Sequence, residues 1–308
     1  MQIKPTLLVL AAGMASRYGS LKQIDAFGPN GETIIDYSIY DAIRAGFGKV
    51  VFVIRKSIEN EFKAIMLNKF SGQIEVDYVL QELDKLPAGL QAPADRVKPW
   101  GTAHAIWVAG AKIKEPFAVI NGDDFYGFRS FKAICDFLTH NQAQEIGLVG
   151  YRLANTLSEH GAVSRGICAI DANGYLRSVT EQTHIATTGR GIVAQGQDEE
   201  VRLTGEEVVS MNLMGFPPTV FPYFEEHLTG FIRQQAEQPD PKAEFFLPGV
   251  VDALVKAGRA QVKVLSSPEK WFGVTYPADK PLAVKTLRSL IEAGVYPENL
   301  WKKNLQEA

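Results

Sequence analysis

The sequence predicts an α/β protein: a doubly wound, mostly parallel sheet with a small β-hairpin subdomain in its second half. Three observations carry that expectation. Short apolar runs at Thr6–Leu10, Lys49–Ile54 and Phe117–Asn121 read as strands buried on both faces, the habit of parallel sheets. Segments of helical apolar spacing alternate with them, so the chain opens as β-α-β-α-β. Small and charged residues follow the first and fourth strands directly, at the edge where a parallel sheet gathers its ligands.

Taken in order, Thr6–Leu10 is too short to cross a membrane and breaks into Ala11, Ala12 and Gly13. Gly28-Pro29-Asn30-Gly31 is a turn signal, and Ile34, Ile35, Ile39, Ala42 and Ile43 repeat at helical spacing up to Gly46. Lys49–Ile54 is the second strand. Phe62, Ile65, Met66 and Phe70 share one side of a helix expected over 58–70, and 74–80 alternates as a third strand. Residues 81–99, with Pro87, Pro93 and Pro99, show little periodicity, and a loop of that length in a compact domain is often functional. A helix follows, opening in Gly101-Thr102-Ala103-His104 and running to about Ala111. Phe117–Asn121 is the fourth strand. Ser130 is the expected N-cap of a helix reaching Asn141, and Ile146–Arg152 is another strand.

From Gly161 the pattern changes. Residues 169–171 and 175–179 flank Asn173-Gly174 as a hairpin. Residues 184–207 are polar, acidic and glycine-containing, and are expected to form a mobile insertion or an arm for contact with a second copy of the chain. Val208–Phe216 reads as a strand, and Val220, Phe221, Phe224, Leu228, Phe231 and Ile232 mark an amphipathic helix. A strand over 260–265 and a helix over 278–293, stopped by Gly294, complete the chain. A single domain covering 1–308 is expected, in two halves meeting at 152/153.

Composition narrows the function classes. Hydrophobic content of 46% and charged content of 22% over 308 residues are ordinary for a globular enzyme with a large core. A net charge of -3 gives no electrostatic reason to expect nucleic acid or an anionic membrane as partner. Cys135 and Cys168 are too few for a disulfide framework, and each follows an isoleucine, so both read as small core residues. The N-terminal string has the charged, apolar, small-residue order of a secretory signal. Its apolar run nevertheless leads straight into the charged loop and reads as the first strand, so a cytoplasmic protein is expected.

Two stretches carry candidate chemistry. After the first strand, Ala11, Ala12 and Gly13 allow close backbone approach to a ligand, and Arg17 and Lys22 add positive charge suited to phosphate. Neither the G-x-x-x-x-G-K-[ST] nor the G-x-G-x-x-G pattern can be drawn through this loop. After the fourth strand, Asp123 and Asp124 stand where a carboxylate can hold Mg²⁺ between phosphate oxygens, although Gly-Asp-Asp is also turn vocabulary. His104 reads as a structural histidine.

The string LAAGMASRYGSLK resembles the L-A-[AG]-G-x-x-[ST]-R opening, with a lysine soon after, of the sugar-1-phosphate nucleotidyltransferases. NGDDFYG resembles their G-D-x motif, whose first carboxylate binds the catalytic metal and falls here on Asp123. Gly101 and Thr102 resemble the Gly-Thr element that contacts the base, and Gln81 the glutamine that bonds a pyrimidine edge, here separated from Gly-Thr by the proline-containing loop. Gly161-Ala162-Val163 resembles the strand whose glycine approaches the sugar, with His160 in place of the family's aromatic. Glu181 and Asn212 resemble the partners of sugar hydroxyls. A lysine follows that glutamate in the deoxythymidine-type members; Gln182 stands here, and a phosphate contact from that position is absent. The second metal ligand of the family, an Asp or Asn before the last helix, matches Thr275, with Asp279 one turn onward. The resemblance spans residues 8–279, and no hexapeptide repeats follow, so no acetyltransferase is implied.

The resemblance thus implies the nucleotide-diphospho-sugar transferase-like fold, with a nucleotide-binding first half and a sugar-binding second half. It implies Mg²⁺-dependent transfer of a nucleotidyl group, with UTP as the expected donor, to a sugar 1-phosphate. Arg17 and Lys22 would serve the phosphates, Ala11, Ala12, Gly13, Gln81, Gly101 and Thr102 the nucleotide, Gly161, Glu181 and Asn212 the sugar, and Asp123 and Asp279 the metal. Nucleic acid and membrane are not expected partners; a homo-oligomer is. Two other readings share these motifs: a cytidylyltransferase for phosphocholine or a similar alcohol phosphate, and a non-catalytic sugar-nucleotide sensor on the same fold.

Overall fold

Alternation along the first strand builds the molecule in layers. In the computed structural model, which describes residues 3–12, 26–141, 144–195, 200–273 and 278–302, β1 (Thr6–Leu10) is buried from end to end. Leu7 and Val9 enter one apolar cluster, and Leu8 and Leu10 enter another on the opposite face. β2 (Lys49–Ile54) repeats the pattern, Val50, Phe52 and Ile54 to one side and Val51 and Val53 to the other. β1 pairs in parallel with β2 and with β4 (Phe117–Asn121), and β2 in parallel with β3 (Glu75–Leu80), in the order β3-β2-β1-β4.

Helices cover both faces. α1 (Ile34–Ala45) starts at a Thr33/Asp36 capping box and ends where Gly46 takes φ 112°, a conformation glycine adopts without steric cost. α1 packs with α4 (Phe128–His140) on the first face, together with a helical stretch that is 3₁₀ over Lys56–Ile58, α over Glu59–Phe62 (α2) and π over Lys63–Leu67. α3 (Thr102–Ala109), α5 (Phe221–Glu237) and α6 (Leu247–Lys256) cover the second face. α6 is unannounced by the pattern reading, because its periodic residues, Leu247, Val250, Val251 and Leu254, follow a loop that ends in Phe245-Phe246 and merge with it. α4 does not begin at Ser130. Gly127, at φ 80°, turns the chain into the helix earlier, and Ser130 lies buried in the first turn with its Oγ donating to the Tyr126 carbonyl at 2.8 Å.

The second half joins the same sheet. β11 (Val208–Phe216) runs antiparallel beside β4 and β6 (Ile146–Arg152), and β12 (Val262–Ser266) pairs in parallel with β6. β7 (Val163–Ile170) and β8 (Leu176–Thr188) form the expected hairpin, longer at its open end than the sequence reading drew it. Within 184–207, the described residues are drawn into the sheet and do not form a loose insertion. They are the end of β8 with β9 (Gly191–Gln195) and β10 (Glu200–Leu203), which extend the sheet through β7. Ile185 and Ala194 are buried in the main core and Val193 is buried as well, which is why this polar-looking stretch is structured. Cys135 and Cys168 are both buried thiols. Among the described residues no helix is long and apolar enough to cross a membrane.

The last segment clamps α1. α7 (Asp279–Glu292) leads to Tyr296 and Trp301, whose rings pack on Tyr37 and Tyr40. Trp301 Nε1 donates to Asp36 at 3.0 Å, and Tyr296 donates its hydroxyl proton to the buried Asp41 at 2.6 Å. Burial pushes the Asp41 carboxyl up to about 7, against the Tyr296 hydrogen bond and Arg44. The folded chain therefore keeps a proton that the unfolded carboxyl releases near pH 4, roughly its ordinary value. That contribution to stability is complete below about pH 4 and is lost as pH rises to about 7. Asp41→Asn is expected to flatten the decline and to be more stable than the parent at pH 8 by about 2 kcal/mol, read by urea unfolding across pH.

Candidate active site

The site lies where the sheet forks. β11 offers one edge to two strands: Met214–Phe216 pair with β4, and Val209–Ser210 pair with β7. Continuing either register by two places reaches Asn212, opposite Asn121 on one side and Ser164 on the other. Asn212 has φ 63°, left-handed backbone that Asn tolerates better than most residues, and the register with β6 shifts there between Ser210 and Met214. β4 and β7 diverge around this residue. Between them opens a cavity of about 360 Å³. Asn121, Asp123 and Asp124 from the β4 side face Arg165, Gly166 and Glu181 from the hairpin, with Ser210 and Asn212 between and Pro248 and Trp271 at the rim.

Asp123 is placed from both sides. The Gly122 amide donates to the Leu10 carbonyl at 3.0 Å, and β5 (Asp124–Phe125) pairs antiparallel with β13 (Phe272–Gly273), Phe125 stacking on Phe272 at 4.6 Å. Asp124 turns inward: its Oδ2 accepts from Asn121 Nδ2 (2.9 Å) and the Tyr126 hydroxyl (3.2 Å). Burial, and then the charge of Asp123, push the Asp124 carboxyl well above the usual range. Tyr126 also accepts from the Asn121 amide at 3.0 Å, which ties the end of β4 to this pair. Asp123 is half-buried and lines the cavity wall.

The hairpin supplies a cation that motif reading overlooked. Arg165 donates from Nε to Thr156 Oγ1 (3.1 Å), from one terminal nitrogen to the Ser164 carbonyl (2.8 Å) and from the other to the Thr156 carbonyl. Its guanidinium lies 4.8 Å from the Trp271 ring centre. Burial lowers its pKa to about 10, while Asp124 and Glu181 favour its charge. The cavity wall raises the Glu181 carboxyl, and Arg165 opposes that shift, although solvent reaches Glu181 at the cavity mouth.

Of the expected sugar-side residues, Glu181 and Asn212 line the cavity and Gly161 does not. Gly161 is exposed, precedes β7 and has open space where a side chain would stand. Gly166 holds the place instead. It pairs with Glu181, and a Cβ on it would lie 2.7 Å from Val179 Cγ1. Counting outward from the Asn173-Gly174 turn would have paired Glu181 with Gly166 and brought Arg165 into view. Asp279 opens α7 and accepts from Ser158 Oγ at 3.3 Å, away from the cavity lining. Gly13, Arg17, Lys22 and Thr275 lie outside the described residues.

The nucleotide-side candidates gather at the strand ends beyond β2. Ala11 and Gln81 flank it, their amides donating to the Val53 (2.9 Å) and Ile54 (2.8 Å) carbonyls, and Ala12 is buried. Gln81 Nε2 donates to the Gly101 carbonyl (2.9 Å) and meets His104 Nδ1 (3.1 Å). His104 Nε2 lies 2.6 Å from the Lys85 carbonyl, so Nε2 carries the proton and Nδ1 accepts from Gln81. Burial lowers the His104 pKa to about 4, and the ring stays neutral. Thr102 Oγ1 accepts from the Leu247 amide at 2.9 Å, joining the starts of α3 and α6.

Residues 8–274 match the nucleotidyl transferase family, and the chain belongs to it. No curated protein matches. Solved structures share the fold at low identity. The inositol-1-phosphate CTP transferase from T. maritima is 14% identical with a TM-score of 0.61, over 95% of this chain and 98% of that one. A UDP-glucose pyrophosphorylase complexed with UDP-glucose is 16% identical with a TM-score of 0.59, over 93% and 99%. A Bacillus anthracis protein assigned as a glucose-1-phosphate thymidylyltransferase, in complex with a sucrose, is 13% identical with a TM-score of 0.61, over 92% and 95%.

Gly101 has φ 111°, and a Cβ on it would lie 2.6 Å from the Phe245 carbonyl oxygen. Gly101→Ala is therefore expected to part α3 from the segment at Phe245 and to lower stability by about 2–3 kcal/mol in urea unfolding.

Proposed function

We propose that this protein transfers a nucleotidyl group from UTP to a sugar 1-phosphate, releasing pyrophosphate and forming a nucleotide sugar. The observation that carries the reading is the fork: a polar cavity joining Asp123, at the C-terminal end of a parallel strand, to Glu181 and Asn212 of the hairpin side. An acceptor held by the second group presents its phosphate to a donor at the strand ends. The acceptor phosphate oxygen is already anionic at neutral pH and needs no general base, which agrees with the neutral, hydrogen-bonded His104. Positioning and charge neutralisation then supply the rate. In this account Arg17 neutralises the departing pyrophosphate and Lys22 bridges the donor and acceptor phosphates.

Gln81 supports the uracil base. Both protons of its Nε2 are committed, to Gly101 and to His104, so the amide has an acceptor, Oε1, left to offer. Uracil N3–H donates to such an oxygen where cytosine N3, a lone pair, repels it.

The donor set suits Mg²⁺. Among the described residues no group of three or more His, Cys, Asp and Glu could hold a metal, and Mg²⁺ takes one or two carboxylates with phosphate and water completing its shell. Asp123 would hold the ion, which would neutralise charge on the phosphates when bound. Asp124, engaged with Asn121 and Tyr126, would orient Asp123 from behind.

Pyrophosphate release with UTP, a sugar 1-phosphate and Mg²⁺ is expected to fall by about 100-fold or more in Asp123→Ala. Near-normal turnover of that variant in saturating Mg²⁺ contradicts the assignment.

A further inference from the structure

We propose that Arg165 holds the phosphate of the acceptor substrate, a role that rests on the reading of the forked cavity as the acceptor's site. The argument begins with charge. Three carboxyl groups, Asp123, Asp124 and Glu181, line the cavity, and among the described lining residues Arg165 is the cation. Burial favours the protonated form of Asp124, so a phosphate dianion meets charge from Asp123 and Glu181, a repulsion on the order of 3 kcal/mol per unit charge pair at about 5 Å and an effective dielectric of about 20. A fixed positive charge inside the cavity offsets it.

Geometry says which group this cation suits. Three of its five N–H bonds are spent, on Thr156 Oγ1, the Thr156 carbonyl and the Ser164 carbonyl. All three acceptors are neutral, so they fix the plane of the guanidinium without discharging it. Trp271 covers it with an aromatic ring. One proton remains on each terminal nitrogen, and two N–H groups in one rigid plane match two oxygens of a phosphate. Arg165 is thus tethered, charged and incompletely used, at the wall of a cavity whose ligand must carry a phosphate if the family chemistry operates here.

The ladder adds a second observation. Arg165 pairs with Gln182 across β7 and β8. Residues opposite one another on antiparallel strands project to the same side of the sheet. Position 182 is neutral in this chain, so the positive charge of that cross-strand pair comes from β7. A lysine placed at 182 would set its charge beside the same site.

Calorimetric binding of a panel of sugar 1-phosphates, with the matching free sugars as controls, tests the role in the full-length protein; steady-state turnover with UTP accompanies it. Arg165→Met is expected to weaken sugar 1-phosphate binding roughly 30-fold, the loss of a bidentate charge-assisted contact. The free sugars should bind the variant as they bind the parent, and the KM for UTP should stay within about twofold, since a role confined to the acceptor leaves donor binding alone. R165M/Q182K should recover about tenfold of the loss, because the new lysine restores the charge without restoring the contacts to Thr156. Arg165→Lys, which keeps the charge and lacks the planar fork, should fall about fivefold and serves if R165M does not fold.

Equal weakening for phosphorylated and free sugars overturns the proposal and makes Arg165 a structural strut. Unchanged binding in R165M, with an active parent, overturns the proposal alone. A parent that binds no sugar 1-phosphate removes the acceptor reading of the cavity and this role with it.

Discussion

One edge of one strand carries two partners, and the rest of the site depends on that sharing. Had β11 run regularly from Ser210 to Met214, β4 or β7 could have held its whole length and no cavity would open between them. The left-handed turn at Asn212 ends one pairing and admits the other. The cost of that backbone, of order 1 kcal/mol or more, is met by Leu213 and Met214, both fully buried in the core on either side of the sheet. A bulge has thereby separated the parallel strands from the hairpin while keeping both on one strand.

A buried polar network holds the other wall. Tyr126 links the Asn121 amide with Asp124, Tyr151 donates to Ser130 Oγ at 2.7 Å, and Ser130 and Ser267 share a hydrogen bond at 2.7 Å. These hydroxyls lie beneath the Asp123 turn and connect β4, α4, β6 and the segment after β12. Apolar residues of the same shape would fill the space. The hydroxyls add direction, since each leaves a costly unpaired group if the turn shifts. Asp123 is presented to the cavity by a frame that tolerates little movement.

Much of this was legible in the residues. Strands β1, β2 and β4 stand where their apolar runs end, because a strand buried on both faces leaves no ambiguity of register or side. Glu181 and Asn212, distant in sequence, line one cavity. What stayed hidden shares a physical reason. Gly161 and Gly166 are alike as letters, and only the ladder, which pairs Gly166 with Glu181, tells them apart. Nothing local in the sequence signals Thr156 and Trp271 as the partners of Arg165. The residues from 184 to 207 read as loose because their apolar members are sparse; three buried side chains sufficed once the sheet edge was there to receive them. Asp36 carries the opposite lesson. Its role as a cap was written locally, whereas its contacts with Lys69 (2.6 Å) and Trp301 come from distant parts of the chain.

The family model places this chain among nucleotidyl transferases, and the forked cavity is the site proposed for the acceptor. The most direct measurement is pyrophosphate release by the purified protein with Mg²⁺, over the common nucleoside triphosphates crossed with sugar 1-phosphates and phosphocholine. The account predicts release that requires UTP and one sugar 1-phosphate together, with neither alone sufficient. Release with CTP and phosphocholine, or silence across the panel with tight binding of a finished nucleotide sugar, would contradict it.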